Sequence, residues 1–195
     1  GIGPEDTVIE FGTGTGELAL EAAQHCKRVI AIDVSDNMLE YAKKKSRERK
    51  IRNIDFKQGG FLTYKHSGGP VNIVITQLAL HHLPDFWKLV ALKRIFNMLE
   101  EGGTFYIRDT VYSFDIDDYK QFFNQWISGT LISAGKELAQ DIETAVREEF
   151  STCDWIMEGL LKHAGFMIQK VEYNQGFLAQ YVCIKDKKEK ELKIK

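Results

Sequence analysis

The chain has 195 residues, of which 44% are hydrophobic, and its formal net charge is −2 at pH 7. This length predicts a single domain, and the nearly balanced charge argues against a protein that binds nucleic acid through a general basic surface. Three cysteines without metal-ligand spacing predict reduced thiols and no metal site. The sequence contains no signal peptide and no apolar run of membrane-spanning length, so we expect a cytoplasmic protein without a membrane span.

A glycine-rich turn joins the first predicted strand, 7–11, to a predicted helix at 17–25. The turn contains three glycines at alternate positions: Gly12, Gly14 and Gly16. Backbone N–H groups at such a strand-to-helix turn point toward a bound ligand. The second predicted strand, 28–33, ends at Asp33, whose carboxylate can accept hydrogen bonds from the hydroxyls of a ribose. Together these features predict a nucleoside-containing cofactor at the carboxyl ends of a parallel sheet.

The spacing of the glycines narrows the choice of cofactor. A dinucleotide-binding turn has the pattern G-x-G-x-x-G, whereas this turn has G-x-G-x-G and places Glu17 where the third dinucleotide glycine belongs. The Glu17 carboxylate would lie close to a pyrophosphate and repel it. Glu10, just before the turn, adds a second negative group and favours a cationic ligand. S-adenosylmethionine has this character, because it combines an adenosine with a sulfonium and an ammonium group and has no phosphate.

These residues carry a resemblance to a known family. The stretch 8–33 resembles motif I and the following acidic loop of class I S-adenosylmethionine-dependent methyltransferases. The likeness continues at 33–39, around the adenosine, and at 99–108, the helix end, glycine turn and fifth strand. Segment 72–84, NIVITQLALHHLP, is similar to the branch with small-molecule acceptors that includes quinone C-methyltransferases. The resemblance implies S-adenosyl-L-methionine as methyl donor, S-adenosyl-L-homocysteine as product and a small-molecule acceptor.

Strands and helices alternate through most of the chain, which predicts an α/β fold with a parallel sheet. Further strands are predicted at 54–58, 71–76, 104–108, 166–173 and 177–184. Further helices are predicted at 36–50, 85–99 and 153–163. The short loop between the last two strands suits an antiparallel hairpin. The resemblance implies a doubly wound, Rossmann-like, mostly parallel sheet of seven strands whose last strand is antiparallel.

The segment 115–150 interrupts this alternation with aromatic and apolar residues at helical spacing. We interpret it as a helical insertion after the fifth strand, with most of its aromatic residues in the core and a few lining a pocket. In the family that the chain resembles, such insertions lie over the substrate. The predicted organisation is one domain at 1–184, followed by a charged tail at 185–195. The sequence predicts no oligomeric state.

The resemblance also assigns cofactor contacts. The implied set is Glu10, Gly12, Thr13, Gly14, Gly16, Asp33, Val34, Met38, Gly60, Phe61 and Gln77. Within it, Glu10 is expected to act on the cofactor ammonium, directly or through water, and Asp33 to hold the ribose hydroxyls. Val34 and Met38 are expected to pack on the adenine. The glycine turn is expected to cradle the amino-acid part of the cofactor.

One position departs from the family pattern. Relatives often have an acidic residue after the third strand that accepts a hydrogen bond from the adenine amino group, and Gly60 stands there in this chain. A backbone group, a water molecule or Gln58 would have to replace that contact. Phe61 is expected to stack on the base.

Catalytic candidates follow the fourth and fifth strands. His81 and His82 are adjacent, so we expect them to point in different directions, one toward the pocket and one toward the next helix. His82 is the candidate general base for an oxygen, nitrogen or acidic carbon nucleophile. Asp109, at the predicted tip of the fifth strand, is the second candidate for a substrate contact. Their alternative roles are a hydrogen-bonded structural histidine and a cap or ion-pair partner in a loop.

Three other functions remain open at this point. An RNA or protein methyltransferase would need a basic groove or recognition segment, and the basic residues at 43–50 are interpreted as a solvated helix face. A non-catalytic module that binds S-adenosylmethionine is the second alternative. A dinucleotide-dependent oxidoreductase is the third, and the presence of Glu17 argues against it.

Overall fold

The computed structural model describes residues 1–186 of the chain. The strands in this part are Thr7–Phe11 (β1), Arg28–Asp33 (β2), Ile54–Gln58 (β3), Val71–Gln77 (β4), Leu99–Tyr112 (β5), Thr152–Cys153 (β6), Phe166–Asn174 (β7) and Leu178–Lys185 (β8). The helices are Glu17–Ala22 (α1), Asp36–Glu48 (α2), Asp85–Met98 (α3), Tyr119–Ala134 (α4), Lys136–Glu148 (α5) and Asp154–Ala164 (α6). Lys185, at the start of the predicted charged tail, ends β8, and 187–195 lie outside the described residues.

The strands form one sheet in the order β3-β2-β1-β4-β5-β8-β7, with the short β6 beside the end of β5. Strands β1 to β5 pair in parallel, and β8 runs antiparallel to both of its neighbours. The predicted seven-stranded, mostly parallel sheet with an antiparallel last strand is therefore confirmed. The strand order reverses between β1 and β4, and in such sheets ligands bind at the carboxyl ends of the strands that flank this point.

Helices cover both faces of the sheet, as a doubly wound fold requires. One apolar cluster joins the strands to Leu92 of α3 and Met157 of α6. A second cluster joins them to Leu20 of α1. The apolar runs of β1 and β2 are buried along nearly their whole length, which explains why these strands read as continuous hydrophobic segments.

Strand β5 differs most from its predicted extent, 104–108. It begins at Leu99, which pairs with Val71, and continues to Tyr112, which pairs with Cys153 of β6. From Gly103 onward its side chains alternate between buried and half-buried positions. The prediction that Asp109 stands at the tip of this strand is therefore wrong, because Asp109 occupies one of the inward-facing positions.

The predicted helical insertion is present as α4 and α5, which pack against each other. Aromatic residues of α4 contact the segment after β5 and the β7–β8 hairpin: Phe122 stacks on Phe114 and Trp126 stacks on Phe177, each with ring centroids 4.0 Å apart. None of the α4 side chains is fully buried, so these rings form a partly accessible layer beside the sheet. Among the described residues, no helix combines the length and apolar character needed to cross a membrane.

Candidate functional site

The glycine turn after β1 adopts backbone conformations that other residues rarely reach. Gly12, Gly14 and Gly16 have φ values of +71°, +52° and +83°. A Cβ at Gly12 would lie 2.5 Å from the Cβ of Ala79, and one at Gly16 would lie 2.8 Å from the Cβ of Ala42. At Gly14 a Cβ would meet nothing within 4 Å. Gly14 therefore exposes bare backbone to open space, whereas the other two glycines allow close packing.

Asp33 ties three loops together at the end of β2. Its Oδ2 accepts the backbone N–H of Gly14 at 2.7 Å, and its Oδ1 accepts that of Ser35 at 2.9 Å. Its carbonyl oxygen accepts the N–H of Gly59 at 2.9 Å. The residue is 9% exposed. Because a carboxylate oxygen has more than one lone pair, each oxygen can still accept a ligand hydroxyl.

Glu10 lies beneath the turn and is 2% exposed. The Thr13 hydroxyl donates a hydrogen bond to its Oε2 at 2.5 Å. Burial raises the pKa of Glu10 to about 7; the Thr13 hydrogen bond opposes this shift, and repulsion from Asp33 adds to it. The carboxyl group is thus held close to the turn with a proton affinity unusual for a glutamate.

A cavity of about 540 Å³ opens at this edge of the sheet. The predicted site residues that line it are Gly12, Gly14, Asp33, Val34, Met38, Gly60, Phe61 and His82. The predicted residues that do not line it are Glu10, Thr13, Gly16, Gln77 and Asp109. Further lining residues were not predicted: Ser35, Gly59, Leu62, Thr63, Leu78, Ala79 and Leu83. The structure therefore gathers loops after four different strands around one enclosure.

Apolar side chains form one wall of this cavity. Val34 is 71% exposed, and Met38 and Leu78 are also exposed, which is the surface expected where a flat ring is bound. Leu78 has a φ of +50°, which is rare for a branched side chain and places strain at the exit of β4. Phe61, by contrast, is buried with its ring stacked on Phe11, so it offers little surface for the expected stacking on the base.

Gly60 lies close to Val34 and Thr63. A Cβ at Gly60 would lie 2.9 Å from Cγ1 of Val34, so a larger side chain would displace that residue. The Gly60 N–H donates to Oγ1 of Thr63 at 2.9 Å. Thr63 lines the cavity and has hydrogen-bonding capacity left, whereas Gln58 donates to the Val34 carbonyl at 3.4 Å.

Asp109 is fully buried and anchors the turn that follows β4. Its Oδ2 accepts the backbone N–H groups of Leu80 at 2.8 Å and of His81 at 3.2 Å. Its Oδ1 accepts a hydrogen bond from Nδ1 of His81. Since the carboxylate has no exposed surface, the predicted direct contact with substrate is not supported, and its partners are those of a positioning residue.

Only one of the two histidines faces the cavity, as predicted, but neither caps the next helix, and both lie beside the carboxylate of Glu149. They lie in a 3-10 turn, Leu80–His82, and their ring centroids are 4.3 Å apart. Nε2 of His81 is 3.3 Å from Oε2 of Glu149, and Nδ1 of His82 is 3.7 Å from Oε1. The His82 side chain is 59% exposed and lines the cavity, whereas His81 is buried.

Electrostatic forces oppose each other at His81. Burial lowers its pKa, but the hydrogen bond to Asp109 and the attraction of Asp109 and Glu149 outweigh burial, so the pKa lies above its ordinary value. Glu149, which follows α5 directly, was not predicted as a site residue. No sequence signal links it to the histidines, because only the tertiary fold brings them together.

A buried lysine helps to hold Glu149 beside the two histidines. Lys88 is fully buried, and its Nζ donates to Oδ1 of Asp85 at 2.8 Å and to the carbonyl of Phe150. The Phe150 N–H donates to the carbonyl of His81 at 2.9 Å. These bonds hold the Glu149–Phe150 segment against the histidine turn.

Comparison with known proteins identifies the family. Residues 8–103 match the model of a methyltransferase domain. An uncharacterized methyltransferase of Geobacillus kaustophilus is 30% identical over 167 residues, which is 86% of this chain and 72% of that relative. A demethylmenaquinone methyltransferase of Lactococcus lactis is 28% identical over 94% of this chain and 75% of its own length.

A solved structure shows the same fold at low sequence identity. A SAM-dependent methyltransferase from Aquifex aeolicus superposes with a TM-score of 0.68 at 17% identity, covering 94% of this chain and 84% of that chain. The cavity described above lies at the carboxyl edge of this shared sheet, beside the glycine turn and Asp33. By family match, sequence identity and fold, the chain belongs to the class I S-adenosylmethionine-dependent methyltransferases.

Proposed function

We propose that the chain transfers the methyl group of S-adenosylmethionine to a small-molecule acceptor. The proposal depends on the observation that Gly14, Asp33 and His82 all line the same cavity. A donor bound at the turn and at Asp33 shares an enclosure with His82, so an acceptor that reaches His82 also reaches the donor. A volume of about 540 Å³ suits ligands of small-molecule size.

The residues around the turn fit such a donor. The open space at Gly14 leaves room for the amino-acid part, and Asp33 retains lone pairs for the ribose hydroxyls. Val34 and Met38 offer apolar surface to the adenine. When bound, S-adenosylmethionine supplies an electrophilic methyl on its sulfonium, which a nucleophile attacks in line with the departing sulfur. The chain supplies binding, alignment and exclusion of water.

Two polar contacts differ from the sequence-based expectation in this proposal. Glu10 acts on the donor ammonium through Thr13 or through water, because its carboxyl group is buried and bonded to that hydroxyl. Thr63, held by Gly60, accepts the adenine amino group in place of an acidic side chain. Gly16 contributes by letting the turn pack on α2, and Gln77 by pairing with Arg108 in the sheet.

On the acceptor side, His82 is the residue that we assign to the reacting groups. It is exposed to the cavity and lies next to the half-buried Glu149. It can take a proton from an acceptor hydroxyl or hold that group by a hydrogen bond. Asp109 acts through His81 and the turn backbone, and is therefore a positioning residue.

A similar protein indicates the class of acceptor. The Lactococcus relative is named for methylation of demethylmenaquinone. This name supports an acceptor with a hydroxylated aromatic ring, such as a quinol. Another cavity, of about 470 Å³, lies between β5 and the helical insertion and has aromatic walls, but it shares no lining residue with the donor cavity and does not bear on the acceptor.

The proposal is tested with purified chain and S-adenosylmethionine carrying a tritiated methyl group. Hydroquinones, including a demethylmenaquinol analogue, would be compared with bulk RNA and with a protein mixture, and labelled products would be separated by size. We expect label in a small hydroxylated aromatic product. Label only in RNA or protein would overturn the assignment of acceptor class, and tight donor binding with no transfer to any acceptor would favour a non-catalytic role.

A further inference from the structure

We propose that His81, His82 and Glu149 form a binding site for one divalent transition-metal ion, of the Zn²⁺ or Fe²⁺ class, at the edge of the cofactor cavity. Each residue offers one ligand atom, and these atoms all lie within 4.8 Å of one another. Two imidazoles and one carboxylate are a donor set that suits zinc and non-haem iron. The inference rests on the proposed function for its chemical role but not for the binding itself.

The distances within this cluster agree with a common central ion. Ligand atoms of a tetrahedral zinc site, with bonds of about 2.0–2.1 Å, are roughly 3.4 Å apart. Nε2 of His81 is 3.3 Å from Oε2 of Glu149, whereas Nδ1 of His82 is 3.7 Å from the other carboxylate oxygen, Oε1. Small rotations of the exposed His82 ring and of the Glu149 carboxylate would bring one ligand atom from each residue around a common ion.

Asp109 gives His81 the orientation of a metal ligand. The carboxylate only accepts hydrogen bonds, so it favours a proton on Nδ1, and in the neutral ring the lone pair of Nε2 is then directed toward Glu149. A carboxylate that holds the far nitrogen of a ligating histidine is a recurrent feature of metal sites. The two backbone N–H bonds from Leu80 and His81 hold Asp109 itself in place.

His81 lies between two negative groups. Its imidazole stands between the carboxylates of Asp109 and Glu149, so a positive charge is favoured between Nε2 and Glu149, carried either by a proton or by a bound ion. Within the described residues, Glu149 forms ion pairs with the two histidines only. The nearby Lys88 is already bonded to Asp85 and to the Phe150 carbonyl. A divalent ion between the three groups would balance both carboxylates.

Three protein ligands leave a coordination position open, which is typical of catalytic metal sites. Because His82 lines the cofactor cavity, the open position is reached from the cavity. The ligand class that fits is an acceptor with a hydroxyl or enol oxygen, which the ion would polarise as a Lewis acid. In this arrangement His82 binds the ion through Nδ1 and does not act as the base. The ion would lower the pKa of the acceptor hydroxyl so that its proton is released to water, which replaces the proton transfer to His82 in the metal-free site.

Metal binding is measured on the full chain after treatment with a chelator. Zn²⁺ would be titrated by calorimetry, and Co²⁺ would be followed by its visible absorption. The variants are Glu149→Gln and His82→Asn, with Glu21→Gln as matched control, because Glu21 also lies 3.3 Å from a histidine but in an exposed pair with His25. Each variant's thermal unfolding would be recorded to verify folding.

We expect one equivalent of Zn²⁺ bound by the wild type and by Glu21→Gln, and an affinity at least about tenfold lower in both cluster variants. No stoichiometric binding, or equal affinity in a folded Glu149→Gln or His82→Asn protein, would overturn the inference. Neither result depends on turnover. Methyl transfer that persists in chelator would show that the proposed function does not need the ion. Metal binding without methyl transfer would contradict the proposed function but not the metal site.

Discussion

The backbone N–H of Gly14 donates a hydrogen bond to the carboxylate of Asp33 at 2.7 Å. This bond links the turn after β1 to the end of β2, so the group expected to hold the ribose also sets the shape of the glycine turn. Asp33 additionally accepts the N–H of Ser35, at the start of α2. The donor site is therefore one hydrogen-bonded unit rather than a set of independent contacts.

Loss of the Asp33 charge is expected to weaken binding of S-adenosylhomocysteine. In Asp33→Asn the side chain keeps its size, but the charge-assisted bonds to Gly14 and to the ribose are weakened, and hydrogen bonds to charged groups contribute about 1.5–3 kcal/mol each. We expect an affinity about ten to a hundred times lower by calorimetry. Asp36→Asn is the control, because Asp36 is close to Asp33 in the chain, at the first position of α2, but is exposed and does not line the cavity. Equal affinity in the two variants would refute the ribose assignment.

Gly14→Ala separates backbone strain from loss of ligand space. Gly14 and Gly102 both have positive φ, +52° and +82°, and at each a Cβ would meet nothing within 4 Å. Alanine at either position costs roughly 1–2 kcal/mol of stability for the left-handed conformation. Because only Gly14 lines the cavity, we expect Gly14→Ala alone to lose donor affinity. Urea unfolding and calorimetry would measure both effects, and unchanged affinity would contradict the placement of the donor.

Much of the sheet was predictable from local pattern. The bounds of β1, β2 and β3 agree with the predicted 7–11, 28–33 and 54–58, because each is a short run bounded by turn residues. Strand β5 was predicted too short, since its outer parts pair with segments remote in the sequence and leave no local signal. Because the strand is longer than predicted, Asp109 lies in the core rather than at the end of the strand.

The cofactor side of the site was more predictable than the acceptor side. The glycines and Asp33 lie close together in the chain, so their spacing alone places them at one sheet edge. Glu149 lies far from the histidines in sequence and meets them through Lys88 and the Phe150 backbone. The positive φ of Leu78 also had no sequence signal, because such strain persists only where surrounding structure imposes it.

Lys88→Met is expected to destabilise the segment that carries Glu149. The substitution removes the buried ammonium and leaves the Phe150 carbonyl without this donor, a loss that costs about 1–3 kcal/mol. Urea unfolding should show a decrease of that size. Lys44→Met is the control, because Lys44 is exposed in a loose pair with Glu48 and should change stability by no more than about 0.5 kcal/mol. Similar stabilities for the two variants would show that the Lys88 bonds do not hold this segment.

Glu10 makes stability depend on pH between about 4.5 and 7. Its pKa is about 7 in the folded chain against an ordinary value of 4.5, so on raising the pH the unfolded chain loses this proton first. The protonated Glu10 therefore contributes to the free energy of unfolding in full below pH 4.5, and this contribution is lost as the pH rises through 7. Each pKa unit corresponds to about 1.4 kcal/mol, so the loss of stability is at most about 3 kcal/mol.

Glu10→Gln removes this titration, so the free energy of unfolding of the wild type should fall relative to the variant from pH 5 to pH 8. Denaturant unfolding at each pH measures the difference. Thr13→Val serves as a second variant: it removes the hydrogen bond that favours the ionised carboxylate, so the decline should extend to higher pH. A difference between wild type and Glu10→Gln that stays constant over this range would mean that the carboxyl group beneath the turn is not held in its protonated form.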